Sequence, residues 1–203
     1  MKAMKMYQQP GLNAPASVAL CTTDGPVRVH DTCFGGNGEY GANGSHLQIS
    51  ALPDGTVVLD AEAAAGLVYM IEEEKMARDL YDTFFEQTGS VVFDRISTSE
   101  QKHMDSLLAV ADNAGIDVSG VSVTVGVFSN AVIQALYDTL LAQGSVSADA
   151  AYDVGVLVEQ TDIADLETYS SDTEIGIVGT VYAHLELASE RHLAAFSQYA
   201  DLA

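Results

Sequence analysis

Basic residues are scarce in this sequence. Eight Lys and Arg stand against 29 Asp and Glu, for a formal charge of -21. This argues against nucleic acid as a partner, because its phosphates would be repelled. Cations suit the balance, as does a salty or extracellular setting; so does the plain solubility of an acidic surface. Long apolar runs are missing as well. Nothing approaches the ~18 consecutive apolar residues that a membrane span needs. Hydrophobic residues still make up 48% of the 203-residue chain, enough for the core of one ordinary domain with an appendage. The opening MKAMKMYQQPGLNAP has no apolar stretch, since Gln8, Gln9 and Pro10 interrupt it. It is not a signal peptide as it stands, although a chain from which a signal had been removed would look the same. Cysteine is limited to Cys21 and Cys33, which excludes a four-cysteine zinc site. The pair brackets TTDGPVRVHDT, a turn-rich loop that a disulfide would close. Free thiols, or metal binding with His30 or His46, are the alternatives. A disulfide would imply an oxidising compartment, periplasmic or secreted.

Residues 1–58 are rich in Gly, Asn, Ser and Pro, as in GGNGEYGANGSH at 35–46. They show no helical period. Short apolar pieces at Ser17–Leu20 and Leu47–Leu52 suit brief strands between turns. These residues are expected to form an irregular or β-like N-terminal arm, and residues 59–203 an all-α domain.

Asp60 suits the N-cap of a first helix running to about Gln87 and stopped by Gly89. Leu67, Met70, Ile71, Glu74, Ala77, Arg78, Tyr81 and Phe85 fall at steps of three and four, on one helix face. Glu74 lies in the middle of that face, where an ionised carboxylate is costly unless it is paired or binds metal. A second helix spans about Phe93 to Asn113 and ends at Gly115. Its inward stripe is Phe93, Ile96, Glu100, His103, Leu107 and Val110 or Ala111. Glu100 and His103 form a Glu-x-x-His pair on one face, a pattern that supplies two metal ligands in carboxylate bundles. Ser97-x-x-Glu100 also fits a capping box that merely closes a helix start.

Residues 116–129 read as a loop. Asn130 then caps a short extra helix to about Ala142, with Gly144 ending it. A third long helix follows Ser147 and runs to about Tyr169. It places Gly155, Glu159, Asp162 and Leu166 on one side, while Asp165 and Glu167 suit a solvated acidic edge. The fourth long helix, about Thr173 to Ala200, carries Val178, Val181, Leu185, Ala188, His192, Phe196 and Tyr199 as its stripe. His184, Glu186 and Glu190 fall on its surface. A lone histidine on such a stripe is usually a hydrogen-bonded core residue.

Four long helices that each carry ligand-type residues near mid-length change that balance. Up-down packing would bring together Glu74, Glu100, His103, Glu159, Asp162 and His192. Four carboxylates and two histidines are the usual ligand set of a two-metal site in a four-helix bundle, and four carboxylates balance two divalent cations. Oxygen and imidazole ligands suit iron or manganese, with zinc as an alternative. Without metal the group would be a buried cluster of like charges, stable only when partly protonated.

The stretch EKMARDLY at 74–81 resembles the first-helix motif of rubrerythrins, and ISTSEQKHMDSL at 96–107 resembles their second-helix Glu-x-x-His. The run from about 67 to 200 is similar to an uncharacterised ferritin-like family of bacteria and archaea. The matching pieces are EEEKMARDLY, SEQKHMD, VGVF, QALYDTLLAQGS, EQTDIADL, and His192-Leu193 with Phe196. The resemblance implies a ferritin-like four-helix bundle and, from rubrerythrins, oxygen or peroxide chemistry at two irons. It carries the ligand role onto Glu74, Glu100, His103 and Glu159, with Asp162 as an additional third-helix carboxylate. The fourth helix departs from the pattern, which wants Glu-x-x-His where this chain has Ser189-x-x-His192. Asp162 then substitutes, or the site holds one metal, or none. The rubredoxin-like four-cysteine iron site is missing too, so an electron relay of that kind is excluded.

Three functions compete. The first is a metal-dependent oxidoreductase or ferroxidase acting on oxygen or peroxide, with Tyr81 either a hydrogen-bond donor to a ligand or a core aromatic. The second is a metal-binding or storage protein without turnover. The third is a metal-free structural or interaction bundle in which Glu74 pairs with Arg78 or a neighbour and the histidines bond each other or backbone. The partners expected are metal ions and oxygen species, with a homodimer compatible with each reading.

Overall fold

The structure, a computed structural model, describes residues 30–31, 47–48, 59–172 and 177–200. Among these residues five helices follow one another: α1 (Ala61–Thr88), α2 (Val91–Ala114), α3 (Ala131–Gly144), α4 (Ala148–Asp172) and α5 (Ile177–Ala200). Two minimal strands precede them. β1 (His30–Asp31) pairs antiparallel with β2 (Leu47–Gln48), His30 opposite Gln48 and Asp31 opposite Leu47. The rest of the arm expected over 1–58, with Ser17–Leu20, Cys21, Cys33 and His46, lies outside the described residues.

Local chemistry sets the helix limits. The Asp60 carboxylate accepts from the backbone N–H of Glu62 and Ala63, and Gly89 ends α1 in the left-handed region. Ser90 follows at once as the N-cap of α2, so that helix starts at Val91, two residues before the Phe93 that its apolar period suggests. The two-residue turn at Gly89 and Ser90 folds α2 back along α1. Asn130 caps α3 through Val132 and Ile133. Gly144 belongs to α3 rather than ending it. It is buried, and a Cβ there would run into the ring of Phe84.

α1 packs along α2 and α4 along α5; the two pairs meet through α1 with α4 and α2 with α5. The four long helices thus form a ring, with α3 laid against α4 and α1. The connection from α2 to α4 is the long one and includes α3. Among the described residues, no helix is long and apolar enough to cross a membrane.

The core is split in two. One apolar cluster gathers Met76, Leu80, Phe84, Phe93, Tyr152 and Phe196 with the inner side of α3. The other gathers Leu67, Met70, Leu107, Leu166, Val181 and Leu185. On each long helix the ligand-type residues lie between its contributions to the two clusters, so a polar layer crosses the bundle at mid-height. The expected stripe on α1 is buried except at Arg78 and Phe85, which are half-buried, and Phe84 is fully buried instead of Phe85.

Candidate metal centre

All four long helices contribute to the polar layer. Glu74 comes from α1, Glu100 and His103 from α2, Glu159 and Asp162 from α4, and His192 from α5. Glu74, Glu100 and Glu159 are each 1% exposed, Asp162 5% and His103 7%. Helical spacing puts Glu100 and His103 on one face of α2, and Glu159 and Asp162 on one face of α4, as the sequence leads one to expect.

Two triads of ligand atoms converge. One atom from each of Glu74, Glu100 and His103 lies within 4.8 Å of the others, and the same holds for Glu100, Glu159 and His192. Glu100 belongs to both. Its Oε2 lies 2.7 Å from His103 Nδ1 and its Oε1 lies 2.8 Å from His192 Nδ1. His103 Nδ1 also lies 3.2 Å from Glu74 Oε2, and His192 Nδ1 3.5 Å from Glu159 Oε2. The imidazoles stack with centroids 5.4 Å apart. Asp162 is in the layer but in neither triad.

The geometry leaves several donor atoms unused. Glu74 Oε1, Glu100 Oε1, Asp162 Oδ1 and His192 Nδ1 are buried without a hydrogen-bond partner among the described residues. His192 Nδ1 and Glu100 Oε1 are close enough to bond, yet they are not aligned to do so. Buried polar atoms are normally satisfied, so unpartnered ligand-type atoms beside the two triads fit a bound cation. The donor set of carboxylate oxygens and imidazole nitrogens fits iron, manganese or zinc. Tyr81 is fully buried and donates to Glu159 Oε1 at 2.6 Å. It is therefore both a core aromatic and a hydrogen-bond donor to a candidate ligand.

Burial and mutual repulsion drive the protonation of the layer. Burial raises Glu74, helped by the charge of Asp162, although the adjacent His103 works against the rise. Glu159 is raised by burial and by Glu100. Asp162 is pushed up to about 7 by burial and by Glu159, with the nearby Ser189 hydroxyl working against the rise. Burial acts on Glu100 in the same sense, but His192 and His103 outweigh it and hold that carboxyl well below the usual range. Burial would lower both histidines. Glu74 and Glu100 raise His103 instead, and Glu100 and Glu159 raise His192 to about 10. Burial and neighbouring charge thus favour the protonated forms of Glu74, Glu159, Asp162 and both histidines, with Glu100 ionised.

Some alternatives from the sequence fail. Ser97 lies inside α2 and donates to Asp94 O, and Glu100 faces the histidines, so the pair is no capping box. Arg78 does not pair with Glu74; it binds Asp79 and Gln101. The histidines meet carboxylates rather than backbone. Asp165 is not a solvated edge. It is half-buried, accepts from the Tyr69 hydroxyl at 3.2 Å, and lies close to Glu73. Glu73 itself was not in the expected set. It is 1% exposed with both carboxyl oxygens unbonded, and burial followed by Asp165 and Asp162 raises it.

Residues 63–202 match a family described as an uncharacterised protein domain, DUF2202. An uncharacterised protein of Methanocaldococcus jannaschii, MJ0754, is 36% identical over 148 residues, spanning 73% of this chain and 79% of that protein. The crystal structure of that hypothetical protein superposes with a TM-score of 0.71 at 35% identity, covering 75% of this chain and 86% of the other.

Proposed function

The chain belongs to the DUF2202 family, and on that premise we propose that it is a metal-binding, ferritin-like four-helix protein. Its centre is that of a di-iron or di-manganese carboxylate oxidoreductase acting on oxygen or peroxide, or of a ferroxidase. The observation that carries this reading is the pair of Glu/His triads that share Glu100 and leave buried lone pairs without partners. The long connection between two helical hairpins supports the ferritin-like assignment, since such bundles have one crossover of this kind.

When bound, the metals supply electron transfer to oxygen, to peroxide, or from iron(II) as substrate. The chain does the rest. His103 and Glu74 would hold one ion and His192 and Glu159 the other, with Glu100 serving both through its two oxygens. Asp162, outside both triads but in the same layer, would replace the acidic ligand that the fourth helix lacks. Tyr81 fixes one oxygen of Glu159 and so orients the other. The apolar clusters above and below the layer keep bulk water out, which strengthens every charge interaction within it.

Ser189, where the ferritin-like pattern has a glutamate, favours a second reading, metal binding or storage without turnover. One experiment separates the two. The protein is loaded with iron(II) without oxygen and then given successive small portions of peroxide or oxygen with a reductant present. Repeated oxidation cycles followed by absorbance support the oxidoreductase. A single stoichiometric oxidation supports storage, and failure to retain iron removes both.

A further inference from the structure

A rubredoxin-like four-cysteine iron relay is excluded in a chain with two cysteines, yet a continuous series of aromatic rings leads from the centre to the surface. Tyr81, bonded to Glu159, has its ring centroid 5.0 Å from that of Phe196 and 6.1 Å from that of Phe93. Phe93 and Phe196 are 5.3 Å apart. Phe93 stacks on Tyr152 at 5.0 Å with 17° between the planes. Tyr152 stacks on Tyr199 at 4.6 Å with 12° between the planes. Exposure rises along the series, from 0% at Tyr81, Phe93 and Phe196 to 9% at Tyr152 and 40% at Tyr199. All four long helices contribute a ring. Gly155 makes room for it, because a Cβ there would come within 2.7 Å of the Phe196 ring.

We propose that Tyr81, Tyr152 and Tyr199 form a one-electron relay between the buried centre and a small one-electron donor at the Tyr199 surface. This rests on the redox reading of the centre. Tyrosine can be oxidised by one electron because its phenolic proton can leave with it; phenylalanine has no such proton. Phe93 and Phe196 therefore only bridge, shortening the gap that an electron must cross through saturated material. Each tyrosine has a place for its proton. Tyr81 donates to Glu159 Oε1, and Tyr152 donates to Ser90 Oγ at 2.7 Å, at the turn between α1 and α2. Tyr199 meets solvent.

The balance closes. Tyr81 gives one electron to metal oxidised by oxygen or peroxide and lends its proton to Glu159. Tyr152 returns an electron to the Tyr81 ring as that proton comes back, and its own proton leaves through Ser90 to water. Tyr199 restores Tyr152 in the same way, its proton passing to water, and is itself restored by the donor and a proton from water. The donor loses one electron, the centre gains one, and every tyrosine ends as it began. A net charge of -21 repels anionic donors and selects neutral or cationic ones.

The test needs no metal. The metal-free full-length protein is mixed with tris(bipyridine)ruthenium(II) and persulfate, oxidised by a light flash and frozen for electron paramagnetic resonance. Wild type is expected to show a tyrosyl signal that Tyr81→Phe removes. The Tyr81 signal is expected to be lost in Tyr152→Phe and in Tyr199→Phe, and retained in Tyr137→Phe, a change in the same apolar cluster but off the series. Circular dichroism checks that each variant is folded, and Tyr199 is exposed enough that folding is not at issue. A Tyr81 signal that persists in Tyr199→Phe and Tyr152→Phe overturns the relay, as does its absence from wild type. Iron retention is measured separately. A working relay in a chain that holds no iron therefore refutes the redox reading alone, and failure of the relay in an iron-binding chain refutes the relay alone.

Discussion

Helix α1 carries two buried charged clusters on different faces, and they are satisfied to opposite degrees. On the face toward residues 116–130 and α3, Lys75 Nζ bonds Asp79 Oδ2 at 2.6 Å, Thr124 O at 2.8 Å and Val127 O at 3.3 Å, and sits 4.2 Å from the centre of the Phe128 ring. Asp79 also accepts from Arg78 and from the Gly126 N–H. Glu72 accepts from Ser129 N–H, Ser129 Oγ–H and Asn130 N–H, at the start of α3. Every charge has an opposite charge or several donors. On the face toward the bundle axis, Glu73, Glu74, Glu100 and Asp162 keep unbonded oxygens, and the two histidines pair only with Glu74, Glu100 and Glu159. The saturated cluster pins a loop and the start of a helix to α1. The unsaturated one keeps ligand capacity that a cation would fill. Burial alone therefore does not mark a site; unspent ligand capacity does.

Breaking the saturated cluster gives the largest expected effect. Asp79→Ala strands a buried Lys75 and frees the Gly126 loop, at a cost of about 3–5 kcal/mol. Chemical denaturation should show this loss equally with and without added metal. A loss that metal restores would mean the two clusters are one system.

Relieving the unsaturated cluster should act the other way. Asp162→Asn removes a like charge from the layer, and metal-free protein at pH 8 should gain on the order of 1–3 kcal/mol. The same variant should show a smaller rise in melting temperature with manganese(II) than wild type. Destabilisation of the metal-free form would contradict the cluster's assignment as unpaired.

pH offers the third test. Asp162 and His192 both have raised values in the folded chain, about 7 and about 10. A raised group adds stability that is full below its unfolded value, ~3.9 for Asp and ~6.5 for His, and lost as pH rises through the folded value. The metal-free melting temperature should therefore fall from about pH 4 to pH 7 through Asp162, and continue falling to about pH 10 through His192. With manganese(II) present the trend should weaken or reverse up to neutral pH, because metal competes with those protons. A flat metal-free profile would contradict the proton-for-cation exchange.

The smallest effect is expected at Tyr81. Tyr81→Phe removes the bond to Glu159 and should weaken metal binding by roughly 10-fold, read by calorimetric titration, with little change in the metal-free fold.

Much of the axial cluster was legible in the sequence. Asp60, Gly89, Gly115 and Asn130 mark helix ends by chemistry local to each position, and the period of three and four placed Glu74, Glu100, His103, Glu159, Asp162 and His192 inward. The saturated cluster was not, because Glu72, Lys75 and Asp79 lie off the apolar stripe and are covered only when residues 116–130 fold over them. A signal existed: Met76, Leu80 and Phe84 are apolar positions off that stripe, and a helix apolar on several faces is buried all round. Glu73 and Asp165 escaped for a related reason. Each borders the inward face, and only the contact between α1 and α4 shows that they meet.

The most direct test of the centre is the metal content of protein purified without chelators or a histidine tag, followed by anaerobic titration with iron(II). The account predicts about two equivalents of iron or manganese per chain, and a melting temperature that rises with metal until both are bound. No bound metal, with no rise on adding iron(II), manganese(II) or zinc(II), would contradict it and leave a metal-free bundle whose buried acids are held by protons alone.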